Sequence, residues 1–528
     1  MKKIKLYIFT ASLFIVSSCG EKFLDSEPYT QVTEINYFKT SDDAYKALIG
    51  VYAGFGRMYS AWNCLPVISE IASDNAFGGT GNGDGFGAQM LDEFDPSRSP
   101  ADNSIMGDNW SQYYKAIFRC NELLSKLDGI NWGNGKNLSA QYAAETKFIR
   151  ALAYFDLVRL FGKVVLLTQP SAENLPQSEP DQVYALIVGD LQFAISNLPT
   201  VSYAAQAASE HGRVTKWAAE ALMGRVFLYY TGYYQKADVS GVTKSEVLAY
   251  QEDIIANSGH HLVDTFATLW PAASLAKYAG ERNAENIFNV KYTYTSNYNG
   301  ENDGNFWLVM LGMRGASYPP YGMGWGAATV NPDLWNTFAG TDTRKTATII
   351  SVTDEAINYK NADQREYTGY FNKKYTPMAD AAGNSLAEKL GGANFQIGQY
   401  QDYIVVRYAD VLLMAAELGS ANAQAYFDEV RRRAYLGNFS SIPVSQDNIM
   451  KERRLEFAFE GIRYWDLLRR GVDVAAQAIA GTTTVMNGGV KTTKTIVAAN
   501  ITNKNGLQQI PNSQITLSGG VLKQNKGW

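Results

Sequence analysis

Residues 449–471 read IMKERRLEFAFEGIRYWDLLRRG. Leu455, Phe459, Ile462, Trp465 and Leu468 recur at steps of three and four, which places them on one stripe of a helix. Charges fill the positions between them. Asp466 stands four residues before Arg470, the spacing of a helical ion pair. The acids and arginines invite a catalytic reading. A packed helix whose charges bridge across a scaffold accounts for them better, because the apolar stripe needs a partner surface and the charges then face one another.

Working outward, the same periodicity marks other helices. SDDAYKALIGVYAGF, from Ser41, opens on a capping residue and brings Ala44, Leu48, Val51, Tyr52 and Phe55 to one face. NWSQYYKAIFRCNELLSKL does so with Trp110, Tyr113, Tyr114, Ile117, Leu124 and Leu127. A long helix is predicted from about Ser139 to Phe161, stopped at Gly162. DQVYALIVGDLQFAISNLP follows, with Leu186, Leu191 and Ile195 inward, then TKWAAEALMGRVFLYYTGYY from Thr215. After a gap come VRYADVLLMAAELGS and ANAQAYFDEVRRRA. Paired helices with Ala and Gly at their crossings predict a mostly α, tetratricopeptide-like helical-repeat scaffold. No clean repeat period is present, so the array is degenerate.

Between about 259 and 400 the pattern changes. Gly, Asn, Tyr and Pro become frequent and long amphipathic runs stop. Long irregular segments in compact proteins are functional or disordered, and the aromatic content here argues against disorder. An irregular, loop-rich functional lobe is therefore expected. The organisation read from the chain is a signal segment at 1–18, a tether at 19–40 and one domain at 41–528. Within that domain the scaffold covers about 41–258 and 401–475, and a C-terminal segment covers 476–528.

The N-terminus is basic (MKKIK), then apolar for a stretch too short to span a bilayer, and ends in VSSCG. Small residues just before Cys19 resemble the bacterial lipoprotein box, which implies lipid on the Cys19 sulfur and a lasting anchor; an ordinary secretory signal cleaved nearby is the alternative. Cys64 and Cys120 are the remaining cysteines. An exported protein can pair them, but two free buried thiols are the preferred reading.

Several segments together resemble the SusD/RagB family of outer-membrane nutrient-binding lipoproteins. They are CGEKFLDSEP from Cys19, FIRALAYFDLVRLFG from Phe148, VRYADVLLMAAE from Val406, ERRLEFAFEGIRYWDLLRRG from Glu452, and IPNSQI with LKQNKGW at the end. They occur in order across nearly the whole mature chain. The resemblance implies a mostly α fold of tetratricopeptide-like helix pairs carrying an irregular, loop-rich ligand-binding lobe, in a lipid-anchored protein exposed on the outer membrane. It also implies that the protein captures an oligosaccharide and passes it to a TonB-dependent transporter of the SusC kind. It implies no catalysis and no cofactor. A peptide or glycoprotein ligand is the alternative, and an exported glycoside hydrolase a distant third. The shared motifs specify the scaffold, so they carry over no ligand residue.

The residues themselves suggest where a ligand would sit. Gly312–Val330 reads GMRGASYPPYGMGWGAATV, with five glycines, three large rings and one charge. A flat ring can cover the C–H face of a sugar while polar side chains meet its hydroxyls. Covering about 60 Å² contributes roughly 1.5 kcal/mol. Tyr318, Tyr321 and Trp325 are candidates, with Arg314 as a fork onto hydroxyls. Trp307, Tyr292, Tyr294 and Tyr298 are close in sequence. The loop ISEIASDNAFGGTGNGDGFGAQ, from Ile68, adds Asp74 and Asn75 as polar groups and Phe77 and Phe86 as faces. Asp74 as a cap or turn residue is an equal alternative.

Other chemistries find little support. Net charge is −5 without a basic stripe, which argues against nucleic acid. GTGNGDGFG lacks the Lys-Ser/Thr ending of a phosphate loop. NGENDGN, from Asn299, does not fit an EF-hand. Three histidines without HExxH or paired cysteines make a zinc enzyme improbable, so no metal is expected. No G-x-S-x-G elbow occurs. Some pair of carboxylates suited to glycoside hydrolysis is always available among 52 acids, so their presence decides nothing.

Overall fold

The computed structural model describes residues 38–61, 64–98, 104–133, 136–297 and 303–528. The signal segment, Cys19, most of the tether and Tyr298 lie outside the described residues, as does much of the NGENDGN run.

Helices pack in sequence order. Ser41–Met58 lies against Ser104–Lys126 and Lys136–Phe161, which packs on Pro180–Asn197. Lys216–Tyr234 and Lys244–Asn257 continue the array, and Tyr408–Glu417 with Ala423–Tyr435 close it. The fold is mostly α, a tetratricopeptide-like scaffold carrying a loop-rich lobe. Local chemistry fixes the helix starts. Thr40, not Ser41, caps the first helix, in a reciprocal box with Asp43. Thr243 and Glu246 repeat the device. Thr215 caps through the Ala218 amide. The long helix begins at Lys136 and stops at Gly162, whose φ of +69° suits glycine.

One inward face differs from its predicted form. In Pro180–Asn197 the buried side is Val183, Tyr184, Ile187, Val188, Leu191 and Ala194, so Leu186 and Ile195 are only half-buried. That helix is mainly apolar, and neighbours on two sides select the face.

The 449–471 segment is not one helix. Gln446–Phe457 ends, the chain turns through Ala458–Ile462, and Arg463–Leu468 begins a second helix. Phe459 and Gly461 take φ of +65° and +73° at the break. The Gly461 amide donates to Glu70 Oε1 at 2.9 Å. A Cβ at Gly461 would stand 3.0 Å from Pro66 Cα and from the Tyr403 hydroxyl, so the close approach requires glycine. The break re-aims the charges. Asp466 accepts from Arg453 and Arg469 at 2.8 Å each, while Arg470 pairs with Asp447 at 3.0 Å. The predicted Asp466–Arg470 pair is absent.

The charges around Glu456 are buried and paired with one another. Glu456 receives Arg407 at 2.5 Å, Arg344 at 2.8 Å and Arg433. Arg407 also reaches Glu285 and Glu460, each at 2.7 Å. Lys374 donates to Glu460 at 2.7 Å, and its burial lowers its pKa to about 8. The motif therefore works as a scaffold device that ties the two blocks of helices to the lobe.

The lobe contains short antiparallel pairs. Ala76–Gly79 pairs with Ala327–Val330, Asn286–Val290 with Tyr403–Arg407, and Ile349–Ser351 with Tyr370–Asn372. Met313, Tyr321, Ile350, Val352 and Phe371 form a small core of its own. A hairpin of Gly481–Asn487 and Val490–Ile496 occupies the C-terminal segment. Cys64 and Cys120 are free and buried, and burial pushes the Cys120 thiol up to about 12. Among the described residues, no helix is long and apolar enough to cross a membrane.

Candidate functional site

Three loops converge at one edge of the lobe: residues 78–86, 312–326 and 357–367. The pairing of Ala76–Gly79 with Ala327–Val330 brings the first two together. Gln364 Nε2 then donates to the carbonyls of Thr80 at 3.0 Å and Gly326 at 2.9 Å. Arg314 reaches Asp363 at 2.8 Å, Asp84 at 3.1 Å and the Trp325 carbonyl at 3.3 Å. Its guanidinium lies against Gly81, where any Cβ would come within 2.1 Å of it. Arg365 donates to the carbonyls of Asn82, Asp84 and Gly85, and stacks 4.2 Å from the Phe86 ring centroid.

The result is a shelf with both characters a sugar needs. Phe86 is 41% exposed, and Tyr318, Trp325 and Phe306 are half-buried. Phe306 meets Trp325 edge-on, with centroids 5.6 Å apart, which fixes the indole plane. Tyr318 leans on Tyr359 at 5.3 Å. Exposed Asn82, Asp84 and Asp363 supply the polar rim. The Arg314 guanidinium beside it holds the Asp363 carboxyl below its ordinary value, so it stays ionised.

Five predicted site residues are not displayed on this shelf. Trp307 is fully buried in the short helix Phe306–Leu311, packed on Tyr375 at 4.8 Å and Tyr403 at 5.6 Å. Its indole N–H donates to the Tyr292 hydroxyl at 3.3 Å, which places Tyr292 in the same cluster. Tyr321 plugs the lobe core and donates to Glu355 at 2.6 Å. Phe77 is buried in a strand opposite Thr329. Asp74 is held by both nitrogens of Arg463, at 2.7 and 2.8 Å, and by Arg454. Burial alone would raise its pKa, but Arg463 and Arg454 hold it below the ordinary value. Asn75 is buried, donating to Glu70 at 3.0 Å and accepting from Arg454 at 3.2 Å. These two polar residues anchor the loop to the scaffold. Tyr294 is exposed.

Asn82, Asp84, Phe306, Tyr359, Asp363 and Arg365 were missed. Asn82 and Asp84 sit between glycines in GTGNGDGFG, a spacing that displays short polar side chains. The 357–367 loop carries no local mark, because only tertiary pairing brings it here.

Two family models match the chain. One, described as the SusD family, matches residues 365–528, and the other, described as starch-binding associating with outer membrane, matches residues 22–228. A SusD-like protein P25 of Formosa agariphila is 25% identical, covering 89% of this chain and 90% of its own. A SusD-like protein of Bacteroides ovatus is 23% identical, covering 88% and 82%. A solved laminarin binding SusD-like protein is 29% identical, with a TM-score of 0.74 over 93% of this chain and 100% of that one. The chain belongs to the SusD family.

Proposed function

We propose that this protein is a cell-surface lipoprotein that captures neutral oligosaccharides and delivers them to a TonB-dependent outer-membrane transporter of the SusC kind. The observation that carries the reading is the shelf itself: partly exposed rings of Phe86, Tyr318 and Trp325 beside the rim of Asn82, Asp84 and Asp363. The name of the laminarin binding relative and the starch-binding description of one family model support a glycan as the ligand. The guanidinium groups of Arg314 and Arg365 are already engaged by Asp84, Asp363 and backbone carbonyls, which favours neutral sugars over acidic polymers or acidic peptides. Each ring contributes roughly 1.5 kcal/mol, so capture is weak and suits a protein that must release its cargo.

Phe86→Ala and Trp325→Ala are each expected to weaken retention on a neutral polysaccharide affinity gel by about tenfold, with stability changed by less than about 1 kcal/mol. Unchanged retention in both variants would remove the shelf as the site. Products released from the polysaccharide by the purified protein would replace the binder with an enzyme.

The anchor is read from the VSSCG stretch ending at Cys19–Gly20. Cys19→Ala should move the protein from the membrane fraction to the soluble one. Persistence in the membrane fraction would contradict a lipid on that sulfur.

A further inference from the structure

A second pocket of about 290 Å³ lies on the helical scaffold and shares no lining residue with the shelf. The outward side of Ser41–Met58 forms one wall, and the turn 209–213 with the end of Asn286–Val290 forms the other. Tyr45 and Ile49, 44% and 51% exposed, leave an open apolar face at it. Tyr45 is steadied by Tyr142, with centroids 6.2 Å apart.

Most polar groups around the pocket are already satisfied. Arg213 is bound to Glu145 and Glu210, and Lys291 to Asp402. The Tyr52 hydroxyl donates to Glu145 and accepts from the Val214 amide. Two atoms of lining residues are buried and have no partner among the described residues: His211 Nε2 and Asn289 Oδ1. Asn289 is only 7% exposed, and its amide nitrogen donates to the Glu281 carbonyl at 3.1 Å. That bond fixes the amide, because a flip would set oxygen against oxygen. The oxygen is therefore an unused acceptor, and leaving it unpaired costs free energy.

The chemistry narrows the ligand. An anion would meet the Asn289 oxygen, and a cation would sit beside Arg213 and Lys291. Burial, with Arg282 and Lys291 nearby, lowers the His211 pKa and favours the neutral ring. A neutral imidazole nitrogen and an amide oxygen both suit a hydroxyl, which donates and accepts. The volume is at the small end for ligand pockets and fits a ring more readily than a chain.

We propose that this pocket takes one ring of a neutral glycan, with a C–H face on Tyr45 and hydroxyls on His211 and Asn289 once a small side-chain shift uncovers their orphaned atoms. The inference rests on the glycan-binding reading above. It would give the chain two grips on one polymer, and two weak sites on a shared ligand raise retention through effective concentration.

Gly56 provides a clean test. It lines the pocket from within a helix, and a Cβ there meets nothing within 4 Å. Gly56→Leu therefore adds its Cβ without a clash, favours the helix and brings an apolar side chain to the pocket lining. The probes are laminarihexaose, cellohexaose and maltohexaose, measured by equilibrium binding and in soaked crystals. In a Phe86→Ala/Trp325→Ala background, residual binding is expected to persist. It should fall on the order of tenfold when either Gly56→Leu or Tyr45→Ala is added. Crystals with ordered water only in the pocket, or residual binding indifferent to both changes, would overturn the proposal while leaving the shelf intact. Binding of no hexasaccharide anywhere would overturn the glycan reading and this inference together.

Discussion

Glu456→Gln is expected to destabilise the protein by about 3 to 5 kcal/mol, read as a shift in the denaturant midpoint. The carboxylate is fully buried and is the meeting point of Arg344, Arg407 and Arg433, all buried. The substitution keeps the shape, removes the charge and sets amide hydrogens toward guanidinium donors. Three cations then share fewer anions in a site that water does not reach. The exposed pair of Arg470 with Asp447 is the control, because Asp447→Asn should cost less than about 1 kcal/mol.

Acid provides a second check. Burial alone would push the Glu456 carboxyl up, but Arg433, Arg407 and Arg344 hold it far below the usual carboxylate range. A depressed folded pKa stabilises the fold above the unfolded carboxylate value, about 4.3, and that contribution fades as pH falls below it. The gap between wild type and Glu456→Gln should therefore narrow on acidification. A gap below about 1 kcal/mol at neutral pH would mean that the cluster relaxes freely, against this account.

The second large effect separates two tryptophans that look alike in the sequence. Trp307→Ala should cost about 3 to 5 kcal/mol of stability, because it empties a fully buried site between Tyr375 and Tyr403 and deprives the Tyr292 hydroxyl of a donor. Below its midpoint, the folded variant should retain glycan within about twofold of wild type, since core losses act on folding and not on the shelf. Trp325→Ala should show the converse. Loss of retention by Trp307→Ala with stability preserved would put that indole at the ligand.

Helices with a cap and an apolar stripe, such as 41–58, or a long apolar run, such as 216–234, were visible because their signals are local. The break at Phe459–Gly461 was not, because the apolar spacing continues through it and only the approach of Pro66 and Glu70 forces the turn. In the lobe, the glycine-rich loops marked two segments, 78–86 and 312–326, that strand pairing brings together. Ring exposure could not be read there. Trp307 and Trp325 lie 18 positions apart in similar surroundings, and packing against Tyr375 or Phe306 decides which one is buried. Asp74 and Asn75 looked like ligand groups because their partners, Arg463 and Arg454, come from nearly 400 residues away.

A crystal structure of the protein soaked with a neutral hexasaccharide tests the central claim most directly. The account predicts sugar rings lying on Trp325 and Phe86, with hydroxyls toward Asn82, Asp84 and Asp363. Sugar bound elsewhere, with those rings bare, would contradict it.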